Sequence, residues 1–103
     1  MTKKRLHPDD RKQQILTAAI RVAARPGGWA KLTRDAVARE AQCADGLVSK
    51  YFGTMTQMRR TVMRSAVLTE NLAIVAQGLA TGDPHAQKAA PELKAQALAT
   101  LAG

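Results

Sequence analysis

An all-α fold is predicted by three features of the chain. Apolar residues recur at three- and four-residue spacing, as in Ile15, Ala18, Ala19, Val22 and Ala23, the period of a helix that buries one face. Start and stop residues punctuate the sequence at helical intervals, among them Thr33, Gly53, the pair Thr54 and Gln57, and Asp83 with Pro84. Hydrophobic residues make up 46% of the chain but aromatics only 3%, and much of the apolar content is alanine. So thin a core suits a small helical unit and cannot wall a large ligand cavity. The expected architecture is a three-helix head with a helix-turn-helix, followed by a long helix 4 and a short C-terminal helix.

Residues 1–8 form a basic arm. Lys3, Lys4 and Arg5 have two readings: contacts to phosphates or a minor groove, or a solvated, solubilising terminus. Helix 1 begins around Pro8, which suits a first helical position, with Asp9 and Asp10 favourable against the helix dipole. Pro26, Gly27 and Gly28 end it. Trp29 and Leu32, in the connection that follows, are expected to be lids on the core.

The organising stretch is Thr33 to Phe52, TRDAVAREAQCADGLVSKYF. Thr33 caps helix 2, expected from Arg34 to about Ala41, with Val37 and Ala38 facing inward. Gln42 and Cys43 interrupt it, Cys43 as a small buried hydrophobe. Helix 3 follows from Asp45 to about Tyr51, with Leu47 and Val48 apolar and Asp45, Ser49 and Lys50 polar. Gly46 either permits close approach of a DNA backbone or is a tolerated weak spot. This is the outline of a helix-turn-helix, although a plain bundle corner has the same outline. Helices this short need a third to pack on.

Gly53 closes helix 3, and Thr54 with Gln57 makes a capping box for helix 4. Met55, Met58, Val62 and Ala66 sit at core spacing, and the apolar pattern runs on through Leu68, Leu72, Val75 and Leu79 to Gly82. One helix of that length would exceed what the head can cover, so its distal half needs the C-terminal helix or a second subunit. Asp83 and Pro84 open a last helix that Pro91 interrupts. A turn over 85–90 with a helix from about Pro91 to Leu101 is the alternative, and Leu93, Leu98 and Leu101 supply the apolar side. The domain division is an arm at 1–8, a head at 9–64 and an extension at 65–103.

Charge follows this division. Residues 1–64 carry 14 Lys or Arg against 5 Asp or Glu, whereas residues 65–103 carry 2 against 3. A basic head points to nucleic acid, and a near-neutral, alanine-rich remainder points to protein contacts, most simply a homodimer. Arg34 at a helix N-terminus opposes the dipole unless an anion faces it, which DNA would provide. Arg34, Arg39 and Arg59, with the arm, are the expected phosphate contacts. A membrane partner is not expected, because Trp29, Tyr51 and Phe52 are the only aromatics and no stretch is apolar enough to span a bilayer.

No enzyme chemistry is expected. His7 and His85 lie far apart, no cluster has metal-ligand spacing, no phosphate-loop glycine pattern occurs, and Ser49 and Ser65 have no visible base. Neither a cofactor nor a metal is implied. The single cysteine, Cys43, fits a reducing cytoplasm, and the basic start does not read as a signal peptide.

The stretch from about Arg11 to Val62 resembles the DNA-binding head of the TetR family of repressors. The residues that carry the resemblance are Ile15, Leu16, Ala18 and Ala19; Thr33, Val37 and Ala38; the run from Ala41 to Ala44; and Gly46, Val48, Ser49, Tyr51 and Phe52. By position, Thr33, Asp45, Leu47, Ser49, Lys50 and Tyr51 correspond to residues that face DNA in that family. This chain departs from the family at Gln42 and Ala44, where Gly and Ser are usual, at Ser49 in place of a phosphate-contacting Tyr, and at Met55 in place of a backbone-contacting Lys. About 40 residues follow the head, far fewer than the family's usual C-terminal domain. The resemblance therefore implies a stripped-down dimeric regulator of plasmid or phage type, without a small-molecule inducer.

The expected function is a cytoplasmic, nucleoid-associated transcriptional repressor. As a homodimer it would bind double-stranded DNA at inverted repeats, with a co-regulator protein as a further partner. Asp45, Leu47, Ser49 and Lys50 would read bases, while Thr33 and Tyr51 would join the arginines and the arm at phosphates. The alternatives are a weakly specific architectural or accessory DNA protein of a mobile element, and a protein-binding adaptor.

Overall fold

The computed structural model describes residues 8–102, and among them every regular element is helical. In chain order the helices are α1 (Pro8–Ala24), α2 (Arg34–Ala41), α3 (Asp45–Phe52), α4 (Met55–Leu68), α5 (Leu72–Thr81), α6 (Pro84–Gln87) and α7 (Pro91–Ala102). None is long and apolar enough to cross a membrane.

The stripe on α1 is buried as its spacing requires: Ile15, Ala18, Ala19, Val22 and Ala23 face inward. They meet Val37, Ala38 and Ala41 of α2, Val48 and Phe52 of α3, and Met58, Val62, Met63 and Ala66 of α4 in one continuous core. Each fully buried Ile, Val, Leu or Met contributes about 1.5–3 kcal/mol of transfer free energy. Alanine supplies little area, but it lets α1 and α2 approach closely. Trp29 and Leu32 close the core from the α1–α2 connection, as expected. Met63 is buried where only Met55, Met58, Val62 and Ala66 were expected, and Met55 is half-buried.

The connection after α1 is folded tightly onto the helix end. A Cβ added at Gly28 would lie 1.9 Å from the Val22 carbonyl oxygen, so only glycine fits there. Two side chains from later helices clamp the same segment. Arg59 of α4 donates to the carbonyl oxygens of Trp29 (2.7 Å) and Leu32 (2.9 Å), and its guanidinium carbon lies 5.0 Å from the Trp29 ring centre. Gln77 of α5 accepts from the Trp29 N–H (2.9 Å) and donates to the Ala23 carbonyl oxygen (2.7 Å), satisfying an orphan group at the α1 terminus. These bonds fix where α2 begins.

The expected long helix 4 is two helices. Glu70 has φ +56°, the N–H of Asn71 bonds the Ala66 carbonyl oxygen, and that of Glu70 bonds the Val67 carbonyl oxygen. This is a Schellman stop. Asn71 then caps α5 by accepting from the Ile74 N–H. The apolar pattern continues across the break because α5 returns to the same core, burying Ile74 and Val75, while Leu68 is left 77% exposed. The line between residues 64 and 65 falls inside α4.

Asp83 caps α6 with Pro84 in its first turn, and the chain re-enters a helix at Pro91, which is the alternative with a turn before Pro91. The apolar side of α7 differs from expectation. Leu93 and Ala97 are buried, chiefly by packing of α7 on α5, whereas Leu98 and Leu101 are 50% and 53% exposed. Gly78 and Ala76, both buried on α5, present little side-chain bulk to their neighbours.

Candidate nucleic-acid interface

The segment from Thr33 to Phe52 folds as two eight-residue helices joined by Gln42, Cys43 and Ala44. Thr33, in extended conformation, accepts from the Ala36 N–H (3.1 Å) and starts α2. Gln42 stops it: its φ of 56° is left-handed, its N–H bonds the Arg39 carbonyl oxygen, and the Cys43 N–H bonds the Ala38 carbonyl oxygen (3.0 Å). This Schellman geometry normally takes glycine, so a glutamine here holds the turn at a local cost. Cys43 is half-buried and packs on the core. Ala44 precedes α3 in cap-ready extended backbone but has no side-chain oxygen with which to cap it.

Val48 and Phe52 anchor α3 to the core. At 3.6 residues per turn, Asp45, Ser49, Gly46 and Lys50 then span one arc of about 140°, which runs from beside Phe52 at Asp45 to the side opposite the Val48–Phe52 face at Lys50. Asp45, Gly46 and Lys50 are exposed and Ser49 is half-buried. A Cβ built at Gly46 has no atom within 4 Å, so nothing among the described residues covers α3 at that position. Of the four expected base-reading residues, Asp45, Ser49 and Lys50 are therefore brought together. Leu47 is not: it lies on the flank with Tyr51, half-buried against the core.

The expected phosphate contacts separate into groups. Thr33 is exposed but its hydroxyl oxygen serves as the α2 cap. Arg34 is half-buried at the start of α2, and its Nε is buried with no hydrogen-bond partner, the one such side-chain atom among the described residues. An orphan donor at a helix N-terminus, where the dipole already favours an anion, is a natural place for one. Arg39 is mostly exposed and pairs with Asp35 at 3.2 Å, a pair worth little in solvent. Lys50 Nζ lies 5.6 Å from the Tyr51 ring centre.

Arg59 departs from its expected role. Two of its nitrogens are committed to main-chain oxygens of a partly buried loop and its plane to Trp29, a charge-assisted donor added at the Trp29 carbonyl oxygen beside the Leu32 N–H (3.4 Å). It is a clamp within the chain, not an outward cation. Lys3, Lys4 and Arg5 lie outside the described residues.

One cation near the site was missed by sequence reasoning. Lys12, on the exposed side of α1, sits with its Nζ 5.7 Å from the Phe52 ring centre at the end of α3. Nothing in the sequence signals this approach, since it depends on how α1 crosses α3. Among the described residues no group of His, Cys, Asp and Glu is arranged to hold a metal ion. A cleft of about 710 Å³ between α1 and α2 has a mixed lining that includes Asp10, Gln14, Arg21 and Glu40 and is open to solvent.

No protein-family model, curated protein or solved structure matches the chain.

Proposed function

We propose that this chain is a sequence-specific, double-stranded DNA-binding transcriptional repressor whose α2–turn–α3 segment acts as a helix-turn-helix. The observation that carries the reading is the uncovered arc of α3. An eight-residue helix anchored by Val48 and Phe52 leaves Asp45, Gly46 and Lys50 exposed and Ser49 half-buried beside them, with no neighbour above Gly46 among the described residues. In a major groove, Asp45 accepts from cytosine N4, Lys50 donates to guanine O6 or N7, and Ser49 bonds either kind of edge. Arg34 and Arg39 neutralise phosphates and make affinity fall steeply with salt. The resemblance of Arg11 to Val62 to TetR-family heads is in keeping with this assignment.

The repressor acts as a homodimer on inverted repeats, each copy setting one α3 into one of two successive major grooves and excluding polymerase. Leu68, Leu98 and Leu101, all exposed in the near-neutral C-terminal part, are apolar surface of the kind a second copy covers. The test is a footprint by the purified chain on DNA surrounding its own gene, at two salt concentrations, with particle mass measured in parallel. A compact, two-fold-symmetric protected site bound by a dimer supports the proposal. Diffuse protection that disappears with modest salt would replace it with a weakly specific architectural role, and no protection at either salt would reject both.

A further inference from the structure

We infer that the cleft between α1 and the α3–α4 junction is a binding site for a DNA backbone phosphate, with Lys12 as its cation. The inference rests on the DNA-binding reading above. The cleft has a volume of about 400 Å³ and is lined by Lys12, Tyr51, Phe52, Gly53, Gln57 and Thr61. Its lining holds one cation, three polar side chains and no carboxylate. Such a lining suits a singly charged phosphodiester: the Lys12 ammonium for the charge, and the Tyr51 phenol and the Gln57 amide N–H groups for the remaining oxygens, while the Thr61 hydroxyl donates to the Gln57 carbonyl oxygen (3.0 Å).

Two further observations bear on Lys12, and Lys50 shares both. Among the described residues no carboxylate pairs with Lys12, whereas Arg25 is paired with Glu40 and Arg39 with Asp35. Its Nζ is also held near the Phe52 ring, which narrows the side chain's freedom before any ligand arrives. Position explains why a phosphate would come there. An eight-residue helix is about 12 Å long and the major groove about 12 Å wide, so the end of α3 comes within a side chain's reach of a backbone wall.

The test is DNA affinity of the full chain as a function of salt, on a random-sequence duplex. Lys12→Met, which keeps the apolar stem over Phe52, is expected to lower the slope of log K against log salt by about 1.8 per dimer and to weaken binding about thirtyfold at 0.15 M salt, the counterion-release factor of two phosphates, one for each copy of the chain. Lys12→Arg should restore both, and Lys88→Met, an exposed cation in the C-terminal part, should change neither. Thermal melts establish that each variant is folded at the assay temperature. Unchanged slope and affinity in Lys12→Met, with steep salt dependence in the unaltered chain, would overturn this site and leave the DNA-binding reading standing. Absence of salt-sensitive binding in the unaltered chain would overturn both.

Discussion

Replacing Gln42 by glycine should stabilise the protein, and the size of the gain follows from the turn. Gln42 has φ 56° and ψ 48°, a conformation that costs a residue with a Cβ about 1–2 kcal/mol. Glycine removes that strain but gives the unfolded chain more freedom, an opposing term of about 0.5–1 kcal/mol. The hydrogen bonds of the turn are main-chain to main-chain, Cys43 N–H to the Ala38 carbonyl oxygen and Gln42 N–H to that of Arg39, so the substitution leaves them in place. The Gln42 side chain is exposed and makes no hydrogen bond among the described residues. The net effect is a gain of about 0.5–1 kcal/mol. The assay is urea unfolding followed by circular dichroism, in which the midpoint should rise by about 0.5 M at unchanged slope. Gln42→Ala keeps the strain and should stay within about 0.3 kcal/mol of the parent. A lower midpoint for Gln42→Gly, or an equal rise for Gln42→Ala, would refute the strain argument.

Four other substitutions test the rest of the site. Arg59→Leu removes two charge-assisted bonds and the contact with Trp29, and should cost about 2–3 kcal/mol, seen as a fall in Tm of roughly 10 °C or more. The salt slope of DNA binding should stay as it was, and a lowered slope with unchanged Tm would return Arg59 to the phosphates. Ala44→Ser supplies the missing cap of α3 and should add about 1 kcal/mol in the same unfolding assay; no gain would mean that the serine hydroxyl does not reach the first-turn N–H groups. Lys50→Ala should weaken binding to the specific site by about 1–3 kcal/mol more than to random duplex, whereas Arg39→Ala should weaken both by similar, smaller amounts in a titration against the two DNAs. Equal losses on both DNA types for Lys50→Ala would remove it from base reading.

What the sequence determined is what short-range physics governs. Periodicity placed Ile15 to Ala23 on one buried face, and the caps at Thr33, Thr54 and Asp83 start helices where cap chemistry requires, because each satisfies N–H groups within three residues of itself. The polar set on α3 was legible in part for the same reason: once Val48 and Phe52 are taken as inward, the helical repeat puts Lys50 opposite them and Ser49 at their side, while Asp45, on Phe52's side, is exposed because it starts the helix. The stop at Glu70 was not legible. A non-glycine residue with positive φ carries little local signal, and the apolar pattern on either side is continuous because two different helices return to one core.

Tertiary structure decided which cations face solvent. Charge counting places basic residues in the head, but Arg59 turns inward because the folded α1–α2 connection presents the Trp29 and Leu32 carbonyl oxygens to it, and that approach exists only after α4 packs beside the loop. Lys12 meets Phe52 across 40 positions of sequence for the corresponding reason: the crossing of α1 and α3 brings them together. Hydrogen bonds and cation contacts between distant residues depend on how helices cross, and crossing is set by the shapes of the buried faces together, a property that no single segment carries.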